Sequence, residues 1–310
     1  VGMKVFPYFN SLQMFAHHEQ IPYENMHAVS VTGRPWHELD RALLECRPLI
    51  GVLTDHVHTP RAIAKRMMEY HLDKDYTMRV AEHLGNPKKE KIYNIYSIEE
   101  ISEMSFSSPN CVLLMKAPNS TQQRPVLGIP DTKFVLLNDR AKMITKAPIR
   151  VIDLSLLELH NSRTFWDIGA CTGSVSIEAR RQYPHLNIQA FEVREECKDI
   201  IRANARLHSA PGIDLHIANF LNLPIAEDAI VDAVFIGGHG GKLKEIICKV
   251  ASHLDKLKGK IVFNSVSEES NKLFREAVEE NDLKLHSEMN ITVDSNNPIT
   301  ILCATGKYHV

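Results

Sequence analysis

From Lys142 onward the chain alternates short apolar runs with stretches of helical periodicity, and this alternation constrains the fold more than any other feature. The apolar runs are RTFWDI (163–168), NIQAFEV (187–193), IDLHI (213–217), VDAVFI (231–236) and KIVFN (260–264). Helical patterns such as EECKDIIRANARLH (195–208) and KLKEIICKVASHL (242–254) lie between most of them. Repeated strand–helix units predict an α/β fold with a mostly parallel sheet covered by helices on both faces.

The end of the chain departs from this pattern. The runs LKLHSEMNITV (283–293) and ITILCAT (299–305) flank the turn-rich DSNNP (294–298). Two extended runs joined by turn residues predict a closing hairpin, which a parallel sheet carries as an antiparallel edge.

The first third of the chain also mixes strand and helix patterns. IGVLT (50–54), YTMRVA (76–81) and NCVLLM (110–115) are predicted strands, and TPRAIAKRMMEYH (59–71) has a Thr-Pro helix start. Residues 119–138 are rich in Pro, Ser, Gln and Asn, which is typical of a linker. We therefore predict one domain over 1–118, a linker over 119–138 and a second domain over 139–310.

Charge and cysteine usage narrow the class of protein. A formal charge of −2 gives no overall attraction to nucleic acid, and no apolar run approaches the roughly 18 residues of a membrane helix. The six cysteines form no CxxC pair, which indicates reduced thiols, and the first residues show no signal-peptide pattern. These features predict a soluble cytoplasmic protein with neither nucleic acid nor membrane as a partner.

The stretch WDIGACTGSVSIE (166–178) predicts a nucleotide loop at the end of a strand. The NAD pattern GxGxxG fits poorly, because Cys171 and Ser174 stand where its second and third glycines belong. The alternative is an acidic residue, then GxxxG, then an acidic residue after the next strand. This pattern is matched by Asp167, Gly169, Gly173 and Glu192. It suits S-adenosylmethionine, because the glycine turn lets the backbone approach the cofactor and a carboxylate can accept hydrogen bonds from the ribose hydroxyls.

The third and fourth strands of this region end in further polar candidates. Asn219 could bond the adenine or simply face solvent. FIGGHGG (235–241) lacks the Pro-Pro-aromatic stretch of enzymes that methylate base amino groups, and its glycines predict an open rim for a large planar substrate. His239 in this rim is a candidate proton acceptor.

Together, DIGACTGSVSIEA (167–179), VDAVFIGGHGG (231–241) and MITKAPIR (143–150) resemble the decarboxylating precorrin methyltransferases of cobalamin biosynthesis. The resemblance runs from about Met143 to the end of the chain. It implies a Rossmann-like class I S-adenosylmethionine-dependent domain that methylates carbon 15 of a corrin precursor and removes an acetate carboxyl group. The substrate is then a tetrapyrrole, and a homo-oligomer is expected.

The earlier part resembles the later half of the carbon-5 methyltransferases of the tetrapyrrole methylase family. FNSLQMFAHHEQIPYENMHAVSVTGR (9–34), LTDHVHTP (53–60) and AEHLGNPKKEKI (81–92) carry this resemblance. The family's opening strand and glycine-rich loop are expected before residue 1. A partial tetrapyrrole methylase α/β domain is therefore predicted, and its carbon-5 methylation is left open.

The resemblance also implies roles for individual residues. The cofactor-binding set is Thr145, Gly169, Ala170, Cys171, Thr172, Gly173, Glu192, Asn219 and Phe220. The substrate-binding set is Gly237, Gly238, Gly240, Gly241, Lys146 and Lys242, with Lys142 and Arg150 as further cations for the carboxylates of the substrate. The family usually has glycine where Cys171 stands and aspartate where Asn219 stands. Thr145 could instead cap the helix that follows it. At His56 and His58, no metal site is predicted.

Two other hypotheses remain besides a corrin-precursor methyltransferase. The first is a methyltransferase of this fold acting on another small molecule or on RNA. The second treats the N-terminal half as a docking or oligomerisation module only.

Overall fold

The computed structural model describes residues 3, 8–94, 97–118, 120, 126–140, 143–293 and 298–308. The chain divides into two compact units, Val1–Arg124 and Pro125–Val310. Within the described ranges, no helix combines the length and the apolar character needed to cross a lipid bilayer.

In the first unit, the described residues form a sheet of five strands in the order β1-β2-β5-β3-β4. β1 and β2 are parallel, and the other neighbouring pairs are antiparallel. The strands are β1 (His27–Ser30), β2 (Leu49–Leu53), β3 (Tyr76–Glu82), β4 (Lys91–Tyr93) and β5 (Asn110–Lys116). The helices are α1 (Ser11–His18), α2 (His37–Leu44), α3 (Pro60–Glu69) and α4 (Ile98–Glu103).

Local capping explains where two of these helices begin. The Asn10 side chain accepts from the Gln13 amide and the Gln13 side chain accepts from the Asn10 amide, which makes a capping box at α1. At α3, the Thr59 hydroxyl accepts from the Ala62 amide and Pro60 occupies the first turn. The Thr-Pro start predicted for this helix is therefore confirmed.

In the second unit, seven described strands form one sheet in the order β11-β12-β10-β9-β6-β7-β8. The strands are β6 (Thr164–Ile168), β7 (Asn187–Glu192), β8 (Ile213–Ile217), β9 (Ala233–Ile236), β10 (Lys260–Ser265), β11 (Leu283–Ile291) and β12 (Ile299–Gly306). The helices are α5 (Ala147–Leu156), α6 (Ser174–Gln182), α7 (Cys197–Leu207), α8 (Leu243–His253) and α9 (Glu268–Glu280). Strands β6 to β10 pair in parallel, whereas β12 is antiparallel to both β10 and β11.

Helices cover both faces of this sheet because neighbouring strand residues point in opposite directions. Trp166 belongs to an apolar cluster with residues of α8 and α9, while Phe165 belongs to one with residues of α5 and α6. The predicted α/β class, parallel sheet and antiparallel edge are confirmed. The predicted turn at 294–297 lies outside the described residues.

The chain order reverses at β6, which has β7 on one side and β9 on the other. Beyond the carboxyl ends of two such strands the connecting loops separate, and ligands of open α/β sheets bind in that crevice. The predicted nucleotide loop follows β6 and therefore lies at this position.

Part of the predicted linker is anchored to the second unit. The amides of Gly128 and Ile129 donate to the carboxylate of Glu178 on α6, and the Val135 amide donates to Asn204 on α7 at 2.7 Å. Residues 126–138 thus differ from a free linker, while 119 and 121–125 lie outside the described residues.

Candidate cofactor and substrate site

A cavity of about 1000 Å³ lies at the carboxyl ends of β6, β7, β9 and β10. Most of the predicted site residues line it, namely Thr145, Lys146, Gly169, Ala170, Cys171, Thr172, Glu192, Asn219, Phe220, Gly237, Gly238, His239, Gly240 and Lys242. Gly173 and Gly241 are adjacent in sequence to lining residues but do not line the cavity themselves. The sequence therefore located the candidate site, while the roles of its residues remain predictions.

The loop between β6 and α6 depends on glycine at two places. Gly169 and Gly173 have φ values of +79° and +73°, which side chains disfavour. A Cβ on Gly169 would lie 2.6 Å from the amide nitrogen of Gly238, so the loop after β6 and the loop after β9 touch through their backbones. Gly173 is the residue before the first turn of α6.

Cys171, in the middle of this loop, also has a positive φ of +50°. Its amide donates to Glu192 Oε2 at 2.8 Å, so this conformation joins the loop to the end of β7. A side chain in the left-handed region costs about 1 kcal/mol or more. The departure from glycine noted in the sequence therefore falls on a residue whose conformation favours glycine.

A pair of substitutions separates this backbone effect from packing. Cys171→Gly and Cys171→Ala both remove the buried thiol, but only the glycine variant removes the Cβ. We expect Cys171→Gly to be more stable than Cys171→Ala by about 1 kcal/mol, measured by urea unfolding. An alanine variant that matched or exceeded the glycine variant would contradict the left-handed conformation of the loop.

Glu192 ends β7 with a carboxylate that is almost fully buried. Its oxygens accept from the amides of Cys171, Val193 and Arg194 and from the Arg194 guanidinium. Burial opposes ionisation, but the Arg194 and backbone hydrogen bonds outweigh it and hold the pKa of Glu192 below its usual value. The carboxylate is therefore charged at neutral pH.

Asp167 and Thr172 bring unpartnered polar atoms to the site. Asp167 Oδ2 accepts from the amide and hydroxyl of Ser176 on α6, at 3.1 and 2.6 Å. Asp167 Oδ1 and Thr172 Oγ1 are buried, and neither atom has a hydrogen-bond partner among the residues that the structure describes. Burial raises the pKa of Asp167 to about 6. Buried polar atoms normally have partners, so these two atoms can receive donors from a ligand.

The turn after β8 holds the residues predicted at the adenine. Asn219 Oδ1 accepts from the Leu221 amide at 3.0 Å, so it starts the short turn Phe220–Asn222. The Phe220 ring packs edge-on against Trp166 and Phe191.

Lys249 of α8 supports this turn, although nothing in the sequence singled it out. Its ammonium donates to the carbonyls of Phe220, Leu221 and Leu223 at 2.8, 3.2 and 2.6 Å. It also lies 4.9 Å from the centre of the Phe220 ring.

The loop after β9 is only partly the open rim that was predicted. A Cβ on Gly237 would lie 3.0 Å from the Phe235 ring and 3.1 Å from the Gly169 carbonyl oxygen, so this end is packed. A Cβ added at Gly240 or Gly241 would have no neighbour within 4 Å in the described part of the chain. The open part of the loop is thus its second half.

His239 lies between these two halves. Burial lowers the pKa of its imidazole, so the ring is neutral at neutral pH. Its Nδ1 accepts from the Gly241 amide at 3.2 Å, which leaves the ring proton on Nε2. In this arrangement His239 presents a donor, whereas the sequence had suggested a proton acceptor.

The predicted cations differ in their surroundings. The prediction that Arg150 is a cation at the mouth of the cavity is wrong, because its side chain is fully buried and forms ion pairs with Asp131 and Glu178. Lys146 Nζ lies 3.6 Å from Asp131, and the exposed Lys242 lies 3.3 Å from Glu245. Lys142 lies outside the described residues.

The alternative role considered for Thr145 is also wrong. The residue that precedes α5 is Lys146, not Thr145, and the Ala147 amide at the start of this helix donates to Asp131 Oδ1 at 3.0 Å. Thr145 lines the cavity, and its carbonyl oxygen accepts from the Arg150 guanidinium.

No group of three or more His, Cys, Asp or Glu side chains could hold a metal ion in the part of the chain that the structure describes.

A family model for the precorrin methyltransferase domain matches residues 137–301, which include the glycine loop, Glu192 and the loop after β9. The chain belongs to this family. A crystal structure named precorrin-6y C5,15-methyltransferase from Geobacter metallireducens is similar at 33% identity and a TM-score of 0.53. The similarity covers 59% of this chain and 100% of that one. The recognised family and the Rossmann-like architecture are therefore confirmed.

Two curated relatives extend the comparison. The cobalt-precorrin-6B C(15)-methyltransferase (decarboxylating) of Salmonella typhimurium is 35% identical over 127 residues, which is 41% of this chain and 64% of the relative. The precorrin-6Y C(5,15)-methyltransferase [decarboxylating] of a Sinorhizobium species is 26% identical over 240 residues, or 77% of this chain and 56% of the relative. The chain thus spans less than two thirds of the length of either relative.

Proposed function

We propose that the second unit is an S-adenosylmethionine-dependent enzyme that methylates carbon 15 of a precorrin and removes the carboxyl group of an acetate side chain. The family membership and the names of the relatives support this substrate class and reaction. The main observation behind the proposal is the hydrogen bond from the Cys171 amide of the glycine loop to the Glu192 carboxylate. This contact lies where the strand order reverses.

The residues of the site fit the cofactor. The unpartnered oxygens of Asp167 and Thr172 suit the donors of its amino-acid part, and Glu192 suits its ribose. Gly169, Ala170, Cys171, Thr172 and Gly173 would form the cradle. Thr145 would close it, and Asn219 and Phe220 would flank the adenine.

The cavity is large for a nucleotide alone. Its volume of about 1000 Å³ is at the upper end of the range for small-molecule sites, about 300–1000 Å³. The part near the β9 loop is therefore available to the second substrate. The exposed Val266 and the half-buried Asn264, at and after the end of β10, also line the cavity.

When bound, S-adenosylmethionine supplies an electrophilic methyl group. The task of the protein is then to align an electron-rich ring carbon behind that methyl and to hold both partners still. The β6 and β9 loops are joined through Gly169 and Gly238, so the cradle and the substrate rim keep a fixed separation.

Loss of the acetate carboxyl as CO₂ leaves its bonding electrons in the conjugated macrocycle, and the side-chain carbon then takes up a proton. His239 is suited to a supporting role here, because its Nε2–H donates while the ring stays neutral. We further propose that Lys146, Lys242, Gly237, Gly238, Gly240 and Gly241 contact the substrate, with the lysines facing its carboxylates.

The first unit is proposed to be a partial tetrapyrrole methylase domain over 1–118. The 240 residues matched by the Sinorhizobium relative exceed the length of the second unit, so the similarity extends into the first. A homo-oligomer and a cytoplasmic location also remain predictions.

An isothermal titration with S-adenosylhomocysteine, with NAD as control ligand, tests the proposal. We expect one site per chain, no binding of NAD, and at least about 100-fold weaker binding by Glu192→Ala, because the ribose hydroxyls lose a charged acceptor. Glu195→Ala is the matched control, because Glu195 is an exposed carboxylate three residues away. It should bind like the wild type.

Other outcomes have defined meanings. Two sites per chain would indicate a second cofactor site in the first unit and reopen carbon-5 methylation. Absence of binding by the wild type would refute the cofactor assignment.

A further inference from the structure

Arg194 forms an ion pair with the carboxylate of Glu192 in the wall of the cavity. Its Nε donates to Oε1 and its Nη2 donates to Oε2, both at 2.9 Å, in a two-pronged ion pair. Both residues line the cavity. The Glu192 side chain is 2% exposed and that of Arg194 is 31% exposed, so the arginine is the member of the pair that can move into solvent.

The Glu192 carboxylate already has as many donors as it can accept. The amides of Cys171, Val193 and Arg194 donate to it at 2.8, 2.9 and 3.0 Å, in addition to the two bonds from the guanidinium. A carboxylate offers about four lone-pair positions, and five N–H groups surround this one. No acceptor position remains for further hydroxyl groups.

Because all acceptor positions of Glu192 are occupied, the ribose cannot bind to it in this arrangement. The inference below rests on the proposed function, in which Glu192 binds the ribose. Two ribose hydroxyls would need two acceptor positions on Glu192. Three of the five donors are backbone amides of the loop and of the end of β7, and they are fixed by the fold. The two hydrogen bonds from the guanidinium are therefore the ones that a ribose can replace, because its two hydroxyls supply the same number of donors.

We propose that Arg194 occupies the ribose position of the cofactor site and that its side chain leaves Glu192 when the nucleoside binds. Arg194 is then a residue that determines cofactor affinity and specificity. A ligand with two adjacent hydroxyls restores both hydrogen bonds that the departing guanidinium breaks. A ligand without them leaves a buried carboxylate short of donors, which is costly.

Titration of the full chain with S-adenosylhomocysteine tests this inference. Arg194→Met removes the competing donors and keeps the length and apolar stem of the side chain. We expect it to bind about 5- to 50-fold more tightly than the wild type, as for the release of a charged hydrogen-bonded pair. Arg194→Lys keeps the charge without the two-pronged geometry and should bind with intermediate affinity.

Lys198→Met is the matched control, because it removes a cation four residues away that pairs with Glu195 rather than Glu192. It should bind like the wild type. A second readout is salt: raising the KCl concentration should tighten binding by the wild type, since salt weakens the ion pair, and should not do so for Arg194→Met. A thermal melt of each variant checks that it is folded.

The outcomes separate this inference from the proposed function. If the wild type binds and folded Arg194→Met binds equally or more weakly, Arg194 is not a competitor of the ribose and the inference is overturned. If neither protein binds S-adenosylhomocysteine, the proposed function and the inference fall together.

Discussion

Asp153→Asn is expected to make the protein more stable at pH 8 than the wild type, with a gain that grows steadily from about pH 4. Asp153 of α5 is fully buried, and burial raises the pKa of its carboxyl group to about 8, against the opposing effects of the Asn264 hydrogen bond and the Arg150 charge. A raised carboxyl pKa contributes stability that is complete below the unfolded value, near 4. That stability is lost as the pH rises to the folded value.

Between about pH 4 and pH 8, the free energy of unfolding of the wild type can fall by about 1.4 kcal/mol for each pH unit. Asparagine at position 153 has no proton to lose. It can also keep the bond to Asn264, whose Nδ2 donates to Asp153 Oδ2 at 2.7 Å. Its amide group also adds a donor near Asn264, whose Oδ1 atom is buried and has no partner among the residues that the structure describes.

Urea unfolding at several pH values measures the effect. Asp167→Asn serves as a control with a different window, because the pKa of Asp167 is raised only to about 6. Its gain over the wild type should therefore level off near pH 6, two units earlier. If Asp153→Asn and the wild type lose stability in parallel up to pH 8, Asp153 is ionised in the folded protein.

Gly169→Ala is expected to destabilise the second unit by roughly 2–4 kcal/mol. The new Cβ would meet the amide nitrogen, Cα and carbonyl oxygen of Gly238 at 2.6 to 2.9 Å, and backbone atoms cannot move aside as a flexible side chain can. The positive φ of +79° adds a second penalty. Binding of S-adenosylhomocysteine should weaken in parallel, because the cradle must shift.

Gly240→Ala separates the two penalties. Gly240 also has a positive φ, +53°, but a Cβ there would meet nothing within 4 Å. It should cost only about 1 kcal/mol in urea unfolding. Equal losses in the two variants would mean that backbone conformation alone, and not contact between the β6 and β9 loops, restricts position 169.

The fold of the second unit could be predicted well because local and global signals agree. The runs at 213–217 and 260–264 match β8 and β10 to within one residue, since each is a short segment that follows a helix of clear periodicity. The short β1 and β4 of the first unit were missed, because four and three residues are too few to show a period. The order of the strands depends on contacts between distant segments that no local pattern records.

For the candidate site, the loops could be predicted but not the groups behind them. Glycine spacing and the acid after the second strand located Gly169 and Glu192, because a ligand-binding loop needs those residue types in that order. Lys249 and Arg194 carry no motif. The partners of Lys249 lie about 29 residues away in the sequence, and Arg194 pairs with Glu192 only because the turn after β7 brings its side chain back onto that carboxylate. Arg150 was misassigned since a basic residue near a cleft looks the same in sequence whether it faces solvent or two buried carboxylates.

The Arg150 contacts also bear on how the protein can be divided. Arg150 and Glu178 are both fully buried, and each depends on the segment before residue 137: Asp131 and the Ile129 carbonyl oxygen bind Arg150, and the Gly128 and Ile129 amides bind Glu178. The family match begins at residue 137. A fragment cut there would keep the buried Arg150–Glu178 pair but lose its outer hydrogen-bond partners, at a cost of about 1–3 kcal/mol for each buried group left unsatisfied. The smallest piece that carries its own stability therefore starts no later than residue 128, well before the first strand of its sheet.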